Sequence, residues 1–216
     1  MLHSGQKWLS RNGHGGRLRE EFLRLALSLA QGLPVERPRA VMLASAHRGE
    51  GTTTVALGVA REFQRATGMR PLVVELNRQH PCFEERFQLD KERSLSAFAT
   101  GTKCVHECVQ FDSEGLAMIP VGRKWEAGDT AGTVARLLRE AASDHDVIFF
   151  DAPPLLESAD AIGAGTIVKH VVVVVKAGHT SSEVLTEVRR QTDMNGMRIV
   201  GSVLAVHSGA ARWLNR

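Results

Sequence analysis

Tyrosine is absent from all 216 residues, so the chain holds no acceptor of its own for tyrosine modification. Cysteine occurs three times, as Cys82, Cys104 and Cys108. That odd, sparse set excludes a disulfide framework and fits free thiols in a reducing compartment. No apolar run approaches the roughly 20 residues that cross a bilayer. The start, Met1-Leu2-His3-Ser4-Gly5-Gln6-Lys7, lacks the apolar stretch of a secretory signal, so a cytoplasmic chain is expected. No motif for nucleic acid is present, and none is expected as a partner. The three cysteines do not group as zinc knuckles: Cys104-Val105-His106-Glu107-Cys108, even with His80 and Cys82 nearby, departs from paired C-x-x-C spacing.

What is present suits one medium domain, with 43% hydrophobic residues available for a core. The net charge of +3 is unevenly spread: residues 1–39 hold seven basic and three acidic side chains, +4, leaving −1 for the rest. A basic arm of this kind reads either as a contact for an anionic membrane face or acidic partner, or as a solvated tail. Residues 1–16, with Gly5, Gly13, Gly15 and Gly16, read as a flexible basic lead-in to a domain over 17–206.

Within that domain, Phe22, Leu25, Ala26 and Leu29 recur at helical spacing, predicting an amphipathic helix over Arg17 to Gln31. Strands are predicted at 40–44, 71–76, 116–120, 147–151, 171–175 and 199–206. Helices are predicted at 52–67, 133–143 and 182–191, with a short one from Leu95 and a charged loop over 77–92. Continuous β-branched runs without alternation mark strands buried on both faces. Alternating with helices, they predict a doubly wound α/β fold with a mostly parallel sheet.

Two features carry chemistry. The strand Ala40–Ala44 runs into Ser45-Ala46-His47-Arg48-Gly49-Glu50-Gly51-Thr52-Thr53-Thr54 and a helix. A glycine-rich turn between strand and helix offers backbone N–H groups and the positive end of a helix dipole to phosphate. Gly49 to Thr54 are therefore the candidate nucleotide-binding residues, with Thr53 placed where a hydroxyl binds Mg²⁺ in G-x-x-x-x-G-K-[ST]. The lysine of that motif is replaced by Thr52. The second feature is Val147-Ile148-Phe149-Phe150-Asp151, which sets one carboxylate at a strand tip, suited to hold Mg²⁺. Pro153-Pro154 disfavours an immediate helix start that Asp151 would merely cap.

With both motifs placed, the chain resembles the cytoplasmic domain of bacterial tyrosine kinases of the capsule and exopolysaccharide type, relatives of the MinD/ParA ATPases. The resemblance runs in order from about residue 17 to 206. Its phosphate loop, S-x-x-P-G-E-G-K-S-T, matches Ser45 to Thr54, and its h-h-h-D-x-P-P is intact as Ile148 to Pro154, with Asp160 at the downstream aspartate. Its D-x-D-x-R-x-P reads Glu75-Leu76-Asn77-Arg78-Gln79-His80-Pro81 here. The resemblance implies ATP or ADP with Mg²⁺ as cofactor, and catalytic positions at Asp151, Glu75 and Asn77. It also implies a membrane polysaccharide co-polymerase as partner, a place at the inner face of the membrane, and self-association through the Arg17–Gln31 helix.

The departures are specific. Thr52 replaces the lysine, Glu75 and Asn77 replace two aspartates, and Gln79 replaces the arginine. In the family's E-x-x-R-x-x-R helix motif, Glu21 and Arg24 match but Leu27 replaces the last arginine. Ala205 replaces the late asparagine of G-x-V-x-N. The family phosphorylates a C-terminal tyrosine cluster, which the tail over 207–216 lacks. Two readings follow: a degenerate nucleotide-binding regulator or scaffold, or a working kinase or ATPase that acts on tyrosines of another protein. A MinD-like positioning ATPase is a third, less suited because His47 stands where those proteins carry an early lysine. Arg48, Trp125 and Trp213 are secondary candidates, for phosphate contact and for partner anchoring.

Overall fold

The computed structural model describes residues 15–35, 38–122 and 129–206. The lead-in through residue 14, the tail from residue 207, Trp125 and Trp213 lie outside the described residues. Helix α1 (Gly15–Gly32) precedes β1 (Arg39–Ser45), α2 (Thr52–Thr67) and β2 (Pro71–Glu75). Three short helices follow, α3 (Phe83–Phe87), α4 (Leu95–Ala99) and α5 (Val105–Cys108), then β3 (Gln110–Phe111) and β4 (Ala117–Ile119). The chain continues through α6 (Thr130–Ala141), β5 (Val147–Asp151), α7 (Ala159–Val168), β6 (His170–Lys176), α8 (Ser182–Met194) and β7 (Arg198–Ala205).

The strands form one sheet in the order β3-β4-β2-β5-β1-β6-β7. Every pairing is parallel except β3 with β4. Strand pleat divides the core in two, because successive side chains point to opposite faces. Val41, Leu43, Val73, Val147 and Phe149 enter one cluster with Phe22 and Leu29 of α1, Val59 and Phe63 of α2, and Phe83 of α3. Met42, Ala44, Leu72, Val74, Ile148 and Phe150 enter the other, against α4 to α8. Helices therefore cover both faces, which a parallel sheet of continuous apolar strands requires. The fold class expected from sequence is the fold observed.

Helix boundaries follow local chemistry. Gly68, at φ +68°, ends α2 by donating its N–H to Gln64 O at 3.0 Å. Asp129 caps α6, its Oδ1 accepting from Gly132 N at 2.9 Å. Helix α1 docks on α2 at Gly58, where a Cβ would lie 2.2 Å from the Phe22 ring.

Five details differ from the sequence expectations. The charged loop over 77–92 contains α3, and α6 starts three residues early, at Thr130 rather than 133. Helix α7 and the α5–β3 segment had no counterpart among the expected elements. Strand β7 is not buried on both faces: it is an edge strand, with Ile199 and Leu204 exposed.

Candidate functional site

Strand β1 lies between β5 and β6, and the loop after it emerges at the carboxyl end of the sheet. Gly49 at φ +82° and Gly51 at φ +99° adopt the left-handed conformation that side-chain-bearing residues avoid. Gly51 is also the N-cap of α2 and offers no side chain to its N–H groups. The first turn of α2 is thus left without a capping acceptor, the arrangement that receives an anion.

Glu50 does not face outward. It is 1% exposed, and its Oε2 accepts from Ala46 N at 2.9 Å and His47 N at 3.2 Å. Its Oε1 accepts from the Thr180 hydroxyl, on the turn after β6. The glutamate therefore folds under the loop and ties its first residues to a neighbouring strand connection. Thr52 is 9% exposed, while Thr53 and Thr54 are half-buried. Arg48 is exposed and pairs with no carboxylate among the described residues. His47 closes the front of the loop through Nδ1, 2.8 Å from Glu157 Oε1.

Asp151 ends β5, in register with Leu43 of β1 on one side and Glu75 of β2 on the other. It is 1% exposed. Burial pushes its carboxyl up to about 7, against a hydrogen bond from Thr53 that lowers it. The charge of Glu75 pushes it further up, and that of Arg86 draws it down. Its Oδ2 has no hydrogen-bond partner. A buried carboxylate oxygen without a partner is costly, and it fits a divalent cation. Thr53 and Asp151 supply the hard oxygen donors that Mg²⁺ takes. The residues present thus fit Mg²⁺ beside the phosphate loop.

Glu75 and Asn77 are otherwise engaged. Glu75 Oε1 accepts from Cys82 N at 2.6 Å and Phe83 N at 3.1 Å, and Oε2 accepts from Val121 N at 3.1 Å. Burial raises its pKa, opposed by those three N–H groups. Glu75 thereby caps α3 from a distance and anchors the segment after β4. Asn77 Oδ1 accepts from His80 N at 3.2 Å, closing a turn on itself. Cys82, beside Glu75, has its thiol pushed up to about 12 by burial and by the charges of Glu75 and Asp151. It is a poor nucleophile.

Arg78, Thr130, Arg86 and Thr180 were not singled out from sequence. Arg78 Nε donates to Asp160 Oδ2 at 3.0 Å, and the Thr130 hydroxyl donates to Asp160 Oδ1 at 2.6 Å. This joins the β2 loop to α6 and α7. Arg78 lies one residue before Gln79, where the family motif places its arginine, which a motif-based reading passes over. Arg86 of α3 lies within electrostatic reach of Asp151. Thr180 lies 130 residues from Glu50, and nothing in the local pattern signals it. The cysteine cluster is put to other uses. His106 Nδ1 pairs with Asp144 at 2.8 Å, Cys108 is buried, and Cys104 N donates to Glu107 at 2.8 Å at the start of α5.

The parallel sheet, the glycine turn and the strand-end carboxylate make a phosphate-loop NTPase-like α/β fold. Within that class the chain is similar to bacterial tyrosine kinase domains. It is 24% identical over 170 residues to "Tyrosine-protein kinase YwqD" of Bacillus subtilis, spanning 77% of this chain and 71% of that protein. It shares its fold with the kinase domain of the Escherichia coli tyrosine kinase ETK, at a TM-score of 0.76 and 20% identity over 88% of this chain and 76% of that one. A more distant likeness is cobyrinic acid a,c-diamide synthase from Mycobacterium smegmatis, solved with ADP and magnesium. Its TM-score is 0.62, at 19% identity over 77% of this chain and 74% of that one. No family model matches the chain. Among the described residues, no helix is long and apolar enough to cross a membrane.

Proposed function

We propose that this protein is a degenerate member of the tyrosine-kinase-like phosphate-loop proteins. In this reading it binds Mg-nucleotide weakly and acts as a cytoplasmic regulator or scaffold for a membrane polysaccharide co-polymerase. The observation that carries the reading is a mismatch inside one site. The anion-receiving turn and the orphaned Asp151 oxygen are present, while the charged groups that drive transfer are absent or diverted. Gly49, Glu50, Gly51, Thr52, Thr53 and Thr54 form the cradle, with backbone N–H groups as the phosphate contacts. Thr53 and Asp151 hold Mg²⁺, which when bound neutralises charge on the phosphates.

Phosphoryl transfer depends on preorganised charge around the transferred group. Loss of one such donor costs about 3 kcal/mol, roughly a hundredfold in rate. Thr52 removes the lysine cation, Asn77 has no charge to offer, and Glu75 spends both oxygens on backbone N–H groups. Asp151 is the one position of the three expected catalytic residues that keeps a free oxygen. Binding is therefore retained more readily than turnover.

Calorimetric titration with Mg-ADP and Mg-ATP tests the nucleotide part. Weak binding that Asp151→Asn abolishes supports it; tight, micromolar binding by the wild type opposes it. The alternative, an active kinase or ATPase working in trans, draws support from that same free carboxylate oxygen and from Arg86 nearby. Turnover measurements separate the two.

A further inference from the structure

A cavity of about 410 Å³ opens at the end of the sheet opposite the phosphate loop, where β2, β4 and β5 begin. Its size falls within the range of small-molecule sites. Four cationic or imidazole side chains line it, Arg70, Arg93, His106 and His145, together with the carboxylate of Asp144, and Val109 and Phe111 supply apolar wall.

Most of these charges are already matched. Arg70 Nε pairs with Asp146 Oδ2 at 3.3 Å, and His106 pairs with Asp144 at 2.8 Å. Arg93 is different. Its Nε donates to Glu107 O at 2.7 Å and one terminal nitrogen donates to Val109 O at 2.6 Å. Those carbonyls fix the guanidinium, and no carboxylate among the described residues neutralises it. A half-buried, preorganised cation of this kind favours an anion over water. His145 adds a second unmet demand. It is 8% exposed, lines the cavity, and its Nδ1 has no hydrogen-bond partner. Phe111, on edge strand β3, is 64% exposed at the rim, a large ring left in water beside the cavity.

We propose that this cavity binds a small organic monoanion with a flat apolar body, its charge on Arg93 and its body against Val109 and Phe111. One uncompensated cation selects a single negative charge, and the wall selects the body. The proposal stands apart from the nucleotide reading, since β2 and β5 run the length of the sheet from this cavity to Glu75 and Asp151.

Benzoate is the probe, followed by amide NMR shifts on the full chain, with inorganic phosphate and benzyl alcohol as single-feature controls. Saturable shifts at Val109, Phe111, Ala117 and His145 are expected, with both controls at least about tenfold weaker. Arg93→Gln weakens benzoate about tenfold. Phe111→Ala, a rim change that leaves the core intact, weakens it severalfold. Any of four results overturns the proposal: no shift at about 10 mM benzoate, shifts confined to Gly49–Thr54, undiminished binding in both variants, or benzyl alcohol binding as well as benzoate.

Discussion

Asp151 carries the tension of this site. Its side chain is buried, bonded by Thr53 on one part and unpartnered at Oδ2. Replacing it by the isosteric Asn removes a buried charge while keeping the shape. Asp151→Asn is expected to stabilise the metal-free chain by about 1–3 kcal/mol at neutral pH, read by thermal melting in chelator. It abolishes any Mg-dependent nucleotide heat at the same time. His145 gives a separate residue-scale prediction. Burial lowers its pKa below 6.5, with Arg70 and His106 adding to the effect and Asp144 and Asp146 opposing it. The folded state then holds fewer protons than the unfolded one just below pH 6.5. This part of the stability is intact above that value and is lost as pH falls toward the folded pKa. His145→Phe should flatten the fall in stability below about pH 6.5 in urea titrations.

Helix α1 carries one of the departures from the family motif. Arg24 pairs with Glu20 at 2.7 Å within the helix, and Leu27 stands 42% exposed where the family motif has arginine. We propose that any self-association through α1 is one ion pair short, so weaker or altered oligomers are expected. Light scattering checks this: a stable ring without nucleotide contradicts it, and Leu27→Arg should shift the distribution toward larger species. The inner face of α1 is a packing matter. Gly58→Ala places a Cβ against the Phe22 ring and should cost about 1–3 kcal/mol while loosening α1.

The elements also show what was readable in the chain. The central strands and the phosphate turn were legible because burial on both faces writes itself as unbroken apolar runs, and because only glycine suits the φ of Gly49 and Gly51. Helix α3 was not. Its cap is Glu75, seven residues upstream of Cys82 on another element, so a window over 77–92 shows only charge. Likewise, the Thr180–Glu50 and Arg78–Asp160 contacts join segments 130 and 82 residues apart. Sequence named Glu50, Glu75 and Asn77 by motif position, and only tertiary contacts assign their side chains to holding loops and turns.

For the whole molecule, the fold shared with the tyrosine kinase domains is intact, while Thr52 and Asn77 bring no charge to the proposed site. In the proposed reading Thr52 and Asn77 leave the phosphate end of the site without charged side chains, and neither disturbs the fold. A scaffold needs the fold and a binding equilibrium; a kinase needs the lost charges as well. ATP hydrolysis by the wild-type chain, measured beside Asp151→Asn as background and Thr52→Lys as the partly restored site, tests this most directly. Wild-type turnover indistinguishable from that of Asp151→Asn is expected. Turnover well above that background and equal to Thr52→Lys would contradict it.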